Sequence, residues 1–168
     1  NILECPPLCQ CRGYALRCEF LNLSTLQLTS EKLRAILYRG NLLEHLNFTG
    51  NCGYLFHLDL SRNQIQLLNY RSFPLCMMLH HLDVSWNQLI LLVRGTFIKL
   101  KKLSYINLAG NKLPSLLPNS LQGSNSLLYL NVSNNKIEYL RSYCFSGSQK
   151  LCILDVSCNQ IKLIDSKS

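Results

Sequence analysis

Five asparagines recur at one constant interval, and each stands at the same place in a repeated apolar pattern. Apolar residues precede the asparagine by eight, five and three positions and follow it by two. The blocks are LFHLDLSRNQI, LHHLDVSWNQL, LSYINLAGNKL, LLYLNVSNNKI and LCILDVSCNQI, around Asn63, Asn87, Asn111, Asn135 and Asn159. A repeat of this kind predicts a solenoid, because each repeat forms one coil that buries its apolar face only against its neighbours.

Each block predicts a short strand that ends in a sharp turn at the asparagine. Two apolar residues flank one polar residue, as in Leu58-Asp59-Leu60, and this alternation is typical of a strand with one buried face. The polar residue is therefore expected on the concave surface. Because an amide side chain both donates and accepts hydrogen bonds, we expect the repeated asparagines to form a ladder that bridges neighbouring coils.

The pattern L-x-x-L-x-L-x-x-N-x-L resembles the leucine-rich repeat, and the segment CPPLCQCRGYALRC resembles the cysteine-rich N-terminal cap of extracellular leucine-rich-repeat proteins. In that family the first cysteine of the cap pairs with the third and the second with the fourth. The resemblance therefore implies the disulfides Cys5–Cys11 and Cys9–Cys18. It implies an α/β leucine-rich-repeat solenoid with a parallel sheet on its concave face, and prolines in the returns favour irregular or 3₁₀ segments on the convex side.

The pattern divides the chain into three parts. Residues 1–28 are the expected cap, 29–54 a short helix with an abbreviated first repeat, and 55–168 five repeats, the last incomplete and without a C-terminal cap. The helix is expected over residues 29–38, with Thr29 or Ser30 as its N-cap and Gly40 at its end. Asn51 precedes Asn63 by only half of the regular interval. Either this first repeat lacks its convex return, or Asn51 is not a ladder residue.

Nine cysteines and three Asn-x-Ser/Thr sequons predict an extracellular or cell-surface protein from the secretory pathway. The sequons begin at the glycosylation candidates Asn22, Asn47 and Asn131. Cys52 and Cys76 stand at the same distance before a ladder asparagine, and such equivalent positions are about 5–6 Å apart between Cα atoms, within disulfide reach. A Cys52–Cys76 bond and two buried thiols both fit. Cys144 and Cys152 are a second candidate pair, and Cys158 is expected to remain unpaired.

The net charge of +8 does not predict nucleic-acid binding, because the basic residues are dispersed and form no stripe interleaved with aromatic residues. Their one cluster is Lys99, Lys101 and Lys102. No apolar run is long enough to cross a bilayer. We therefore expect membrane attachment only through other parts of a longer parent protein, and we expect no cofactor.

His57, Asp59 and Ser61 have the composition of a hydrolase triad, but their spacing argues against an enzyme. Neighbours on one face of a strand are about 6.6 Å apart, so two such steps separate the serine from the histidine. A nucleophile must instead lie within hydrogen-bond reach of its base. Two histidines and a carboxylate of adjacent strands are able to bind zinc, but no tetrahedral spacing is enforced here, and we expect no metal site.

The predicted concave face carries aromatic residues beside hydrogen-bond acceptors, which favours binding of a peptide or protein. The alternative is that any repeat strand turns polar residues outward, which explains the aspartates and asparagines better than the histidines and tyrosines. One column is His57, His81, Tyr105, Tyr129 and Ile153; the next is Asp59, Asp83, Asn107, Asn131 and Asp155; a third is Ser61, Ser85, Ala109, Ser133 and Ser157, with Arg62 and Trp86 at the rim.

Within the wider family, the uniform repeats and the cap are most similar to leucine-rich-repeat G-protein-coupled receptors of the relaxin-receptor type. That resemblance implies the ectodomain of a receptor for a basic peptide, in which acidic residues of the inner surface meet arginines of the hormone. Asp59 and Asp83 occupy matching positions, whereas Asn107 and Asn131 lack the charge. The alternative is an adhesion, matrix or immune-recognition protein without G-protein-coupled signalling.

Overall fold

The computed structural model describes residues 5–48 and 50–167, which form a solenoid of about six coils without any helix. Within these residues the strands are short: β1 Gln10–Arg12, β2 Ala15–Arg17, β3 Ala35–Leu37, β4 His57–Asp59, β5 His81–Asp83, β6 Tyr105–Asn107, β7 Ser115–Leu116, β8 Tyr129–Asn131, β9 Tyr139–Leu140, β10 Ile153–Asp155 and β11 Leu163–Ile164. No helical segment of this part of the chain is long and apolar enough to span a membrane.

The main sheet runs along the whole solenoid in the order β1-β2-β3-β4-β5-β6-β8-β10. Strands β1 and β2 form an antiparallel hairpin in the cap, and every later pair is parallel. From β4 onward the register equals the sequence period, so that Leu58 pairs with Leu82 and Leu82 with Ile106. Residues one period apart therefore lie side by side, and each repeated position becomes a column along the sheet.

The returns on the other side consist of turns and short strands. Strands β7, β9 and β11 form a second parallel sheet, and a single bridge joins Leu68 to Leu92 in earlier coils. The predicted solenoid, with its parallel sheet and disulfide-bonded cap, is confirmed. The returns of the described residues therefore contain irregular turns, as expected, together with the short strands β7, β9 and β11, but no 3₁₀ helix.

A continuous apolar core fills the solenoid between the two sides. Leu58, Leu60 and Ile65 of one coil have no exposed surface, and Phe73 of the same coil is 1% exposed. Phe73 and the equivalent Phe97 pack with their ring centroids 6.5 Å apart. Because each coil packs against the next, the repeats stabilise one another through these interfaces.

The repeated asparagines form a buried ladder between coils. The Asn87 amide donates to the carbonyl of Leu60 in the preceding coil and to that of Val84 in its own, both at 3.0 Å. Its Oδ1 accepts the Ile65 N–H at 2.9 Å. Equivalent bonds occur at Asn63, Asn111, Asn135 and Asn159. The polar backbone at each turn is thereby satisfied inside the molecule.

The helix predicted over residues 29–38 is wrong, because strand β3 lies there. Ile36 pairs with Leu16 of the cap on one side and with Leu58 on the other. Ile36 and Tyr38 are both buried, whereas Leu37 between them is partly exposed, which is the alternation of a strand. The neighbouring strands β2 and β4 supply the hydrogen bonds that an isolated segment would have satisfied in a helix.

The abbreviated first repeat is also wrong, because the ladder residue of this coil is Asn41 rather than Asn51. The Asn41 amide donates to Cys18 O at 2.6 Å, and its Oδ1 accepts the N–H groups of Leu21 and Leu23 at 3.0 and 3.1 Å. Among the described residues, the Oδ1 of Asn51 accepts a local bond from Gly53 N at 2.8 Å and none from a neighbouring coil. Residues 33–43 are thus a full repeat block, and the solenoid has one more complete coil than the sequence pattern indicated.

Three disulfides join cysteines of the described residues. Cys5–Cys11 and Cys9–Cys18 lie in the cap, with the pairing that the resemblance implied. Cys52–Cys76 links equivalent positions of two coils, with 4.6 Å between the Cα atoms. The candidate pair of Cys144 and Cys152 does not form, because Cys144 is buried and Cys152 exposed; both, like Cys158, are free thiols. Burial raises the pKa of Cys144 to about 11.

The three sequons differ in their surroundings. Asn22 and Asn47 are exposed, although Thr49 of the second sequon lies outside the described residues. Asn131 is only partly exposed, on strand β8. Its Oδ1 accepts the Ser133 N–H at 2.8 Å. A glycan on Asn131 would therefore be attached to the concave face itself.

Candidate ligand-binding face

The outward residues of the concave sheet are fixed by the three-residue strands. In β4, β5, β6 and β8 the middle residue is fully buried, and the residues before and after it are partly exposed. The register then aligns these outward residues into two columns. The first column contains His57, His81, Tyr105 and Tyr129, and the second contains Asp59, Asp83, Asn107 and Asn131.

The rings of the first column form one continuous stack. The centroids of His57 and His81 are 4.2 Å apart, those of His81 and Tyr105 4.0 Å, and those of Tyr105 and Tyr129 4.5 Å. The planes of successive rings differ by 13°, 7° and 2°. Since both faces of His81 and Tyr105 are covered, these rings offer a ligand their edges, which carry the imidazole nitrogens and the phenol hydroxyl.

The environment keeps the two inner rings of the stack uncharged. Burial lowers the pKa of His81, and the neighbouring His57 lowers it further, against the opposite effect of Asp83 and Asp59. Burial raises the pKa of Tyr105, with contributions from Tyr129 and Asp83. At neutral pH both rings are therefore neutral hydrogen-bonding groups beside a row of carboxylates and amides.

The lowered pKa of His81 predicts a loss of stability in mild acid. Below its ordinary value of 6.5, the unfolded chain binds a proton more readily than the folded protein does. The stability associated with neutral His81 is thus complete above that pH and decreases as the pH falls through it.

Thermal unfolding at pH 7.5 and 5.5 tests this prediction. We expect the melting temperature to differ less between the two pH values for His81→Gln than for the native sequence. The exposed His45, changed to glutamine, serves as the control and should leave the difference unchanged. Equal differences for all three proteins would contradict the assignment.

The second column also has a structural role at the strand ends. Each Oδ1 accepts a hydrogen bond from the backbone N–H two residues later in the chain. Asp59 accepts from Ser61 and Asp83 accepts from Ser85, both at 2.8 Å. Asn107 and Asn131 make the same bond, so an amide serves as well as a carboxylate. These local turns explain why the column contains only Asp and Asn. The charge of Asp59 and Asp83 is not required for them.

The two aspartates differ in the use of their second oxygen. Oδ2 of Asp83 accepts a hydrogen bond from the Asn107 amide of the next coil at 3.0 Å. For Oδ2 of Asp59, residues 5–48 and 50–167 provide no hydrogen bond. The remaining member, Asp155, lies on β10, and bonds from Ser157 lower its pKa. Ile153, which ends the first column, is 57% exposed.

The third column was expected on the concave surface, but most of it is buried beneath that surface. Ser61, Ser85, Ala109 and Ser133 are buried, and only Ser157 of the column is exposed.

The residues that have the composition of a hydrolase triad do not form one in the described structure. The Asp59 carboxylate accepts a hydrogen bond from the backbone N–H of Ser61. The solenoid fold is typically a non-enzymatic scaffold for protein interactions. In the described part of the chain, no three His, Cys, Asp or Glu side chains come together as metal ligands.

Trp86 stands at the rim of the face, where the chain leaves the sheet in a left-handed conformation, with φ of 54°. The Arg62 guanidinium of the preceding coil lies 5.7 Å from the ring centroid. On the other side the ring lies against Gly110, where a Cβ atom would be 2.4 Å from it. The glycine therefore makes room for an indole that remains 48% exposed.

Two features of this surface were missed by the sequence analysis. Phe20 packs on Gly40 as Trp86 packs on Gly110, and a Gly-Asn pair at the ladder position marks both sites. Phe56 also stacks on His80, with ring centroids 4.2 Å apart, at the position just before the strands. The signal was available, because these two rings stand at the same position of successive repeats.

The repeats match known family models in the middle of the chain. One model described as leucine rich repeat matches residues 91–137, and a second matches residues 75–90. A search of curated protein sequences gives no match. Among solved structures, the functional domain of InlJ from Listeria monocytogenes, described as including a cysteine ladder, is similar with a TM-score of 0.69.

That structural similarity concerns the fold. The two sequences are 21% identical, and the alignment covers 90% of this chain but 32% of the InlJ chain, so this chain spans about a third of that protein's domain. The repeat matches, the solenoid and the disulfides of the cap agree with one another. The chain therefore has the fold of a leucine-rich-repeat solenoid, with disulfides in its N-terminal cap.

Proposed function

We propose that this chain is an extracellular recognition domain that binds a peptide or protein ligand on its concave face, as part of a cell-surface receptor. The leucine-rich-repeat fold is typical of protein-binding domains. The observation that carries the proposal is the stack of four rings in the first column, which lies beside Asp59 and Asp83 of the second column. Its rings are partly exposed, although the core beneath them is already complete.

The disulfides support the extracellular location. Cys52–Cys76 and the two cap disulfides would be reduced in a cytosolic environment, whereas they persist in secreted proteins. The resemblance of cap and repeats to relaxin-type receptors supports a receptor that couples to G proteins. A longer parent protein would supply the membrane attachment.

The charges of the face favour a basic ligand. Asp59 and Asp83 lie side by side on adjacent strands, and Asp59 retains one carboxylate oxygen that can accept a bond from a ligand. Charged groups arranged in this way contribute to specificity and to the rate of association. Trp86 at the rim adds an exposed aromatic side chain of the kind found at interaction hot spots.

Substitution of aspartate by asparagine separates charge from structure at this face. Asn107 and Asn131 already make the strand-end turn, so Asp59→Asn with Asp83→Asn removes two charges while keeping the Oδ1 acceptors. At residue 83 the change also removes the Oδ2 acceptor of the Asn107 amide, so Asp59→Asn alone is measured beside the double variant. Peptides selected from a random display library on the immobilised domain provide the probe. We expect basic peptides to be enriched and to bind the double variant at least tenfold more weakly.

The control is Glu44→Gln, which removes an exposed acid from a return segment and should leave affinity unchanged. The proposal fails if the selected peptides bind the double variant as tightly as the native domain. It also fails if the Glu44→Gln variant weakens their binding as much as the concave substitutions do.

A further inference from the structure

Large apolar side chains are exposed together on one lateral edge of two adjacent coils. We call the segments that lead into β4 and β5 the ascending edge, residues 52–56 and 75–80. Exposed fractions there are 63% for Tyr54, 50% for Phe56, 59% for Met77 and 39% for Met78. Leu75, 48% exposed, lies beside them in the sequence. Single exposed apolar residues are ordinary on a protein surface, whereas a contiguous group marks an interaction site.

The group is contiguous because two links fix the alignment of these coils. Cys52–Cys76 places equivalent residues 4.6 Å apart at the start of the edge, and the pairing of His57 with His81 does so at its end. Tyr54 therefore lies beside Met78. Phe56 lies on the imidazole of His80, with 18° between the ring planes. The disulfide and the stacked rings hold the apolar surface in one arrangement.

Cations border the apolar group on both sides. On one side are the exposed Lys32 and Arg34 of the preceding coil, which the pairing of Ala35 with His57 places beside Tyr54 and Phe56.

A cluster of lysines lies on the other side. In the next coil, Lys101 and Lys102 occupy the positions equivalent to Met77 and Met78, and Lys99 precedes them. All three lysines are exposed. The ion pairs found in the described residues are Arg17–Glu19 and Lys162–Glu138, which involve none of them. An apolar centre with a charged border is the usual anatomy of a protein interface.

We propose that the ascending edge, from Tyr54 and Phe56 through Met77 and Met78 to Lys101 and Lys102, is a second protein-docking surface, distinct from the concave face. Its partner presents apolar side chains with acidic side chains next to them. The border of the apolar group is not uniformly cationic, because the exposed Glu31 stands next to Lys32. A border of mixed charge matches an amphipathic protein segment and not a uniform layer of anionic lipid headgroups. Methionine is flexible and polarisable, and suits a surface that adapts to a partner.

The two methionines of the chain both lie in this surface, so their methyl groups report on it without interference. The domain is labelled with ¹³C in the methionine methyls and titrated with two synthetic amphipathic helical peptides. Both peptides carry the same leucine face, with glutamates on one and lysines on the other. We expect the glutamate peptide to shift both methyl resonances and the lysine peptide to shift neither.

Charge reversal at the border tests the role of the lysines. Lys101→Glu with Lys102→Glu should raise the dissociation constant of the glutamate peptide at least tenfold. The matched control is Lys112→Glu with Lys136→Glu, which makes the same change of net charge at exposed positions just after two ladder asparagines and should leave the constant unchanged. Asp59→Asn with Asp83→Asn should also leave it unchanged, which separates this surface from the concave one.

Four results would overturn the proposal. Methyl resonances that respond to neither peptide show that the surface does not dock such a segment, and equal responses to both show that charge is irrelevant. A response to vesicles of phosphatidylcholine and phosphatidylserine without a response to the glutamate peptide assigns the surface to a membrane. Shifts that change on dilution of the free domain assign it to a second copy of the chain.

Discussion

Replacing Asn111 by alanine is expected to lower the free energy of unfolding by about 3 kcal/mol, through loss of ladder bonds and of buried volume. Oδ1 of Asn111 accepts the Leu89 N–H at 3.0 Å, and its amide donates to Val84 O and Leu108 O at 3.1 and 2.9 Å. The side chain is 5% exposed, so water cannot replace these bonds without opening the structure. Urea unfolding followed by circular dichroism measures the change.

Asn125→Ala is the control for the ladder, because Asn125 is an exposed asparagine in the return between β7 and β8. Its unfolding free energy should stay within about 0.5 kcal/mol of the native value. If Asn111→Ala is as stable as Asn125→Ala, the ladder does not hold the coils together.

Removal of the Cys52–Cys76 disulfide is expected to cost about 3 kcal/mol beyond the loss of packing, since the bond closes a loop of 24 residues. Both cysteines are buried, at 3% and 0% exposed, so alanines are the suitable replacements. The Cys52→Ala and Cys76→Ala double variant is compared with the native domain by urea unfolding under oxidising conditions.

The packing contribution is measured separately with Cys144→Ala, which removes the sulfur of a buried free thiol. We expect this control to cost about 1 kcal/mol. A double variant that loses no more than twice the control's value would show that the disulfide itself adds nothing to stability.

The regular part of the fold is predictable because the coil length and the sequence period are the same quantity. Leu58, Leu82 and Ile106 recur once per repeat in the sequence and pair directly in the sheet. A period fixes which residues meet without any knowledge of long-range contacts. The same period, applied to Cys52 and Cys76, gives the two positions that the disulfide joins.

The first coil was missed because its pattern is ambiguous at two points. Leu33 and Ile36 fit the first two apolar positions of a repeat and also one face of a helix. Tyr38 occupies the third apolar position, and the interval from Asn41 to Asn63 is shorter than the one that separates the later ladder asparagines. The decision is made by hydrogen bonds to β2 and β4, which are not visible in the local sequence.

The columns of the candidate site could be predicted from the sequence, but the burial of the residues that follow each strand could not. Alternation correctly separates buried Leu58 from its outward neighbours His57 and Asp59. The strand ends at Asp59, so alternation does not extend to Leu60 and Ser61, and both are buried. The stacking of rings and the turns closed by the aspartates depend on this strand-end geometry, which composition does not specify.

Hydrogen exchange of five backbone amides tests most directly whether a shared asparagine ladder aligns the concave face. Each of these N–H groups donates to a ladder Oδ1: Leu43, Ile65, Leu89, Leu113 and Ile137. Although they belong to turns rather than to the concave strands, we expect all five to be protected as strongly as the amides of β5 and β6. Exchange at the rate of an unstructured peptide at these five positions would contradict the account, because the coils would then lack the bonds that align the concave columns.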